Sequence, residues 1–282
     1  FYFRRYATAT NLVNVDIGGG TTDIAFSSNG KVEYITSFKF AANSLFEDSF
    51  SDINPNNGIV DWFKNDILGL LQSKPELNEL VNILNSNLGQ PANMASFLFS
   101  LKDNSATKSL ARNNIDFNKI LQNDTKFKVV FIIFYTAIIY HIAQIVKAKG
   151  LKAPRHIAFS GNGSKIISII SSDPKILGKY TKIIFEKVLG KEYGSALDIL
   201  GLEQGSNPKE STCKGGLIAV EASDEEPGTL VLRDSSGNLA SMSDTYATIS
   251  DTHKAEIVKT VKDFFKFALT EIPSAFNLDN NF

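Results

Sequence analysis

The segment LVNVDIGGGTTDIAFSS at 12–28 constrains the fold of this chain more than any other part of it. One apolar run ends in Asp16, three glycines turn the chain, and a second apolar run follows at once. The period and the β-branched content predict strands over 12–17 and 23–28. Asn29-Gly30 is a two-residue hairpin signal, and KVEYITSF at 31–38 alternates as a third strand. The first forty residues therefore read as an antiparallel meander whose first bend is a glycine loop.

That bend has its own chemistry. Glycines at 18, 19 and 20 carry no Cβ, so their N–H groups can approach an anion closely. Thr21 and Thr22 add hydroxyl donors suited to phosphate oxygens. Asp16, at the end of a buried strand, is placed to hold a hydrated Mg²⁺ or a water near a terminal phosphate, because Mg²⁺ keeps most of its waters and needs few carboxylates. A plain glycine hairpin with no ligand is the competing reading. The loop is not a Walker loop, since no Gly-Lys-Ser/Thr follows. Nor is it a dinucleotide fingerprint, since it leads into a strand rather than a helix.

Beyond the meander the pattern changes. Residues 43–125 read as a mainly helical insertion, with helices over 59–71 and 75–84, and Asn-Pro at 54–55 and Gln-Pro at 90–91 as punctuation. Residues 126–148 predict one long helix. Its core, FKVVFIIFYTAIIYHIAQIV, matches the length of a membrane span, but the interruptions by Lys128, Tyr135, Tyr140, His141 and Gln144 favour a helix buried inside the protein. A short strand follows at 155–160, then the turn SGNGSK and a helix beginning in IISII. Asp173 and Pro174 predict the start of a helix reaching Leu189. A strand at 196–202, a helix at 212–222, a hairpin around Ser236-Gly237-Asn238 and an amphipathic helix over 252–270 complete the reading.

Composition narrows the function classes. Of 282 residues, 43% are hydrophobic and 21% charged, which is the profile of an ordinary globular chain. Twenty-nine basic residues nearly balance thirty acidic ones, so no nucleic-acid surface and no polybasic membrane patch is expected. The single Cys213 excludes an intramolecular disulfide and fits a reducing, cytoplasmic setting. His141, His156 and His253 are too scattered in sequence to suggest a metal site.

NVDIGGGTTDIAF at 14–26 resembles the second phosphate motif of the superfamily that contains actin, the 70-kDa heat-shock chaperones and the sugar kinases, closest in style to the bacterial cytoskeletal (FtsA, MreB, ParM) and chaperone branches. RHIAFSGNGSK at 155–165 resembles its adenosine motif, although taken alone it could be an ordinary strand-to-helix turn. The resemblance implies an α/β fold: a ribonuclease-H-like lobe with a mixed sheet flanked by helices, made of residues 1–42 and 126–282, with 43–125 as an inserted helical subdomain. It implies ATP or ADP with Mg²⁺ as cofactors. Asp16 would be the catalytic and metal-binding residue, with Gly18, Gly19, Gly20, Thr21 and Thr22 on the phosphates. Gly161, Asn162, Gly163 and Ser164 would lie on the adenosine side, with Asn162 standing where many members have glycine.

In relatives the inserted subdomain supplies side chains around the adenine, and Lys102, Lys108 and Arg112 are candidates by position alone. The segment from Asn207 through Ala219 resembles a helix that contacts the other lobe. The family's first phosphate loop has no counterpart here, so the expectation is a fragment whose partner is a missing first lobe, with self-association also open. The readings that stand are an ATPase, a small-molecule kinase, and a scaffold that keeps the fold without the chemistry.

Overall fold

The computed structural model describes residues 11–29, 31–46, 59–86, 91–110, 115–171, 173–194, 196–202, 210, 214 and 250–276. The meander is present as β1 (Asn11–Ile17), β2 (Thr22–Ser28) and β3 (Lys31–Phe38). β1 pairs antiparallel with β2, and β2 with β3, with a register shift at Phe26/Ser27. Asn29 takes a left-handed φ of 48° at the bend between β2 and β3, a conformation asparagine tolerates better than most residues.

The described residues from 43 to 149 are mainly helical. They are α1 (Asn43–Phe46), α2 (Ile59–Gln72), α3 (Asn78–Asn85) after a 3₁₀ turn at Pro75–Leu77, α4 (Pro91–Ser100), α5 (Phe117–Asn123) and α6 (Thr125–Lys149). Pro75 and Pro91 each open a helical segment, where a missing N–H breaks no bond. Asp124 caps α6 by accepting from the N–H groups of Lys126 and Phe127, and Gly150 ends it at a left-handed φ of 62°.

The chain then returns to the sheet as β4 (His156–Ser160), passes a 3₁₀ turn at Asn162–Ile166 and the short α7 (Ile167–Ile170), and forms α8 (Pro174–Leu189) and β5 (Asp198–Leu200). Asp173 caps α8 on the Lys175 N–H, as its position predicts. The last described element is α9 (Asp251–Phe276), which continues past the expected end through Pro273. The helix expected at 212–222, the hairpin around 236–238, Cys213 and Arg112 lie outside the described residues.

The sheet order is β3-β2-β1-β4-β5, with β4 parallel to β1 and β5 parallel to β4. β2 is thus the one strand of the five that runs against the rest. Val13, Val15 and Ile17 on β1, Ile24 and Phe26 on β2, and Ile157 and Phe159 on β4 are all buried and belong to the main apolar cluster. That cluster also takes in the helical stretch, through ring contacts of Phe46 with Phe99 and Phe131 and of Phe117 with Phe63 and Phe99.

By length and composition α6 could cross a membrane, with a mean hydropathy of 2.2 in its most apolar window. Of that window, 61% is buried inside the protein. Two of its buried hydroxyls find partners there. Tyr135 and Thr181 share a hydrogen bond of 2.6 Å, and Thr136 and Tyr180 one of 2.7 Å, joining α6 to α8. Burial pushes the hydroxyls of Tyr135 and Tyr180 well above the ordinary tyrosine value.

Candidate functional site

β1 and β4 lie side by side and parallel, but the chain leaves them in opposite directions. β1 leads to β2 and β3 on one side of the sheet, and β4 leads to β5 on the other. Such a switch point opens a crevice beyond the carboxyl ends of the two strands, the usual place for a ligand in an open α/β sheet. The register sets Asp16 beside Ser160, so the glycine loop after β1 and the glycine turn after β4 emerge together. The two segments that the sequence singled out, far apart along the chain, meet at this point.

They meet in contact. Gly161 has a φ of 79°, and a Cβ there would overlap Oδ1 of Asp16 and the carbonyl oxygen of Ile17. A Cβ on Gly163 would lie 2.6 Å from the Gly18 carbonyl oxygen and 2.7 Å from that of Ile17. Both glycines are therefore required by close approach, and Gly161 also by its backbone angle. Asn162 is exposed between them.

The β1–β2 loop is held from below. The Gly18 N–H donates to the Thr21 carbonyl at 2.9 Å, closing the turn. The N–H groups of Ala42 and Asn43 donate to the carbonyls of Gly18 and Gly19, at 3.2 and 2.9 Å. In a planar trans peptide the C=O and the following N–H point in opposite directions. Fixing these two carbonyls on residues 42 and 43 therefore turns the N–H groups of Gly19 and Gly20 the other way. Neither N–H meets an acceptor among the described residues. Gly19, Gly20 and Thr21 are exposed. Adjacent N–H groups with no Cβ to screen them can meet an anion. A glycine-loop cradle of this kind suits a phosphate.

Two residues expected on the ligand are turned inward instead. Thr22 has no exposed surface, and its hydroxyl donates to the Phe40 carbonyl at 2.7 Å. It opens β2 on the same face as Ile24 and Phe26, and that alternation was readable in the sequence. Ser164 is likewise fully buried, and its hydroxyl donates to the Gly161 carbonyl at 2.7 Å. Each hydroxyl shapes a loop and is out of a ligand's reach. Thr21 remains the exposed hydroxyl of the pair.

Asp16 is half-buried at the mouth of the crevice, with its carboxylate against the α-carbon of Gly161. Asp23 faces it directly across β1 and β2 and is exposed. No group of three or more His, Cys, Asp or Glu side chains gathers among the described residues. A metal held here would thus take few protein ligands and rely on water or ligand oxygens, which suits Mg²⁺. Lys102 and Lys108 lie on 3₁₀ turns at Leu101–Asp103 and Ser105–Ser109, which pack on each other within the helical stretch. Outside both motifs, Asn43 also lies against the loop. Its Oδ1 is 3.0 Å from where a Cβ of Gly19 would be.

No family model matches the chain, and no curated protein matches it. Among solved structures it is similar to the ethanolamine utilization protein EutJ from Carboxydothermus hydrogenoformans, at 13% identity and a TM-score of 0.26, over 72% of this chain and 49% of that one. It is also similar to the activator of the 2-hydroxyisocaproyl-CoA dehydratase from Clostridium difficile, solved with bound ADPNP. There the identity is 13% and the TM-score 0.25, over 76% of this chain and 65% of that one. The match thus spans about half of the first of those chains and less than two thirds of the second. Likenesses this slight leave the functional reading to the geometry of the crevice.

Proposed function

We propose that this chain is a nucleotide-binding lobe of the actin-like ATPase kind, with the nucleotide lying across the two glycine loops at the carboxyl ends of β1 and β4. The observation that carries the reading is the contact between those loops, which Gly161 and Gly163 alone make possible. The strand order, with β2 alone reversed, supports a ribonuclease-H-like core formed by 1–42 and 126–282, with 43–125 as its inserted helical part. In this reading the N–H groups of Gly19 and Gly20 and the hydroxyl of Thr21 hold the β- and γ-phosphates. Gly161, Asn162 and Gly163 offer backbone to the adenosine side. Asp16 would hold the water shell of Mg²⁺ or orient a water towards the terminal phosphate. Bound Mg²⁺ would neutralise charge on the phosphates. Phosphoryl transfer needs positioning and charge stabilisation from all sides, so a second lobe bearing the other phosphate loop is the proposed partner, and this chain by itself would bind nucleotide without efficient turnover.

Calorimetric titration with Mg-ATP and Mg-ADP tests the reading, on this chain and on any longer protein that contains it, with Asp16→Ala beside each. The expected result is nucleotide binding that is strengthened by Mg²⁺ in the wild type and not in Asp16→Ala. Absence of binding by both forms at millimolar nucleotide would refute it.

A further inference from the structure

Nothing in the sequence marks Asn43 as functional, yet it touches the centre of the phosphate loop twice. Its N–H donates to the Gly19 carbonyl at 2.9 Å. Its carboxamide lies against the Gly19 α-carbon, with Oδ1 and Nδ2 at 3.0 and 3.4 Å from the site a Cβ would take. The first contact turns the Gly20 N–H outward, because the Gly19–Gly20 peptide is planar. The second leaves little room for a side chain at Gly19. Asn43 is also anchored. It is the first residue of α1, whose Leu45 and Phe46 are buried, and Phe46 packs on Phe99 and Phe131. A run of three glycines is otherwise the most conformationally free stretch a chain can have, and ordering it on binding would cost affinity.

We propose that Asn43 is the positioning residue of the phosphate site: by holding the Gly19 carbonyl it turns the Gly20 N–H towards the anion before the anion arrives. The inference rests on the nucleotide reading above and extends it to a residue outside both glycine motifs. Asn43 acts through the loop backbone and need not touch the ligand.

The test compares Asn43→Pro with Asn43→Ala in the full chain. Proline removes the N–H but suits the first position of a helix, whereas alanine keeps the N–H and removes the carboxamide. Mg-ATP affinity is measured by calorimetry, and the amide resonances of Gly19, Gly20 and Gly163 are followed during the same titration. In the wild type all three resonances shift. In Asn43→Pro the affinity falls about tenfold, the value of roughly one well-made hydrogen bond. The Gly20 response collapses while that of Gly163 persists. Asn43→Ala loses about threefold, and it decides the matter should the proline variant not fold. Unchanged affinity in both variants, or a loss shared equally by all three resonances, overturns the role of Asn43 and leaves the nucleotide reading standing. A wild-type chain in which Mg-ATP moves none of the three overturns both.

Discussion

Replacing Gly163 by alanine adds one methyl group where the two loops touch. That methyl would lie 2.6 Å from the Gly18 carbonyl oxygen, 2.7 Å from the Ile17 carbonyl oxygen and 2.8 Å from Cγ2 of Ile17. Two of these three neighbours are backbone atoms at the end of a buried strand, so no side-chain rotation relieves the overlap. Reaching ordinary contact means parting the two loops by roughly 1 Å, in an interior packed too densely to yield freely. Overpacking of this kind costs about 2–3 kcal/mol, which for a chain of this size lowers the melting temperature by roughly 4–10 °C. Gly20→Ala is the matched control. A Cβ there meets nothing within 4 Å, and its expected cost is below about 0.5 kcal/mol. Thermal melts followed by circular dichroism, with urea titrations on the same samples, measure both. If Gly163→Ala melts together with Gly20→Ala, the two loops are not in contact and the site as described does not exist.

Removal of one partner from the buried α6–α8 pair should be costly. Thr181→Val leaves the Tyr135 hydroxyl without its 2.6 Å partner and is expected to lose about 1–3 kcal/mol in urea denaturation. Adding Tyr135→Phe should then cost less than it does in the wild type, which a double-mutant cycle reads directly. Burial holds the His141 imidazole below its ordinary value of 6.5. Between that depressed value and 6.5 the unfolded chain binds more protons than the folded one, so stability should fall as pH drops through this window. His156 is shifted in the same direction, burial outweighing the pull of Asp198. His141→Phe should therefore reduce, without abolishing, the loss of stability between pH 7 and pH 5. An unchanged slope would remove His141 from the account.

The sequence was most informative where one local rule acted alone. The alternation over 12–38 placed the three meander strands to within a residue of β1, β2 and β3. Asp173-Pro174 fixed the start of α8 and Leu189 its end. Less was legible where tertiary contact decides. The expected helix over 75–84 is split into a 3₁₀ turn and α3, and the strand expected over 196–202 is confined to Asp198–Leu200, the residues that pair with β4. At the ends of β1 and β4, motif likeness picked out two loops that the fold brings together but did not sort their side chains. Thr22 and Ser164 belong to the motifs, yet burial commits their hydroxyls to Phe40 and Gly161. Asn43 belongs to no motif, and only the fold of the chain after β3 brings it under Gly19.

The pairing of β1 with β4 joins residues about 140 positions apart, whereas the meander closes over short turns. Loop-closure entropy makes the long pairing the slow one, to be reached only after the intervening helices have shortened the distance. The meander, its glycine loop included, can therefore form early, while the crevice comes into being only when β4 docks. A ligand that bridges both loops can act only on chains that have passed this step. It should slow unfolding and leave the refolding rate nearly untouched, so the nucleotide would serve this chain as a latch on its longest-range contact.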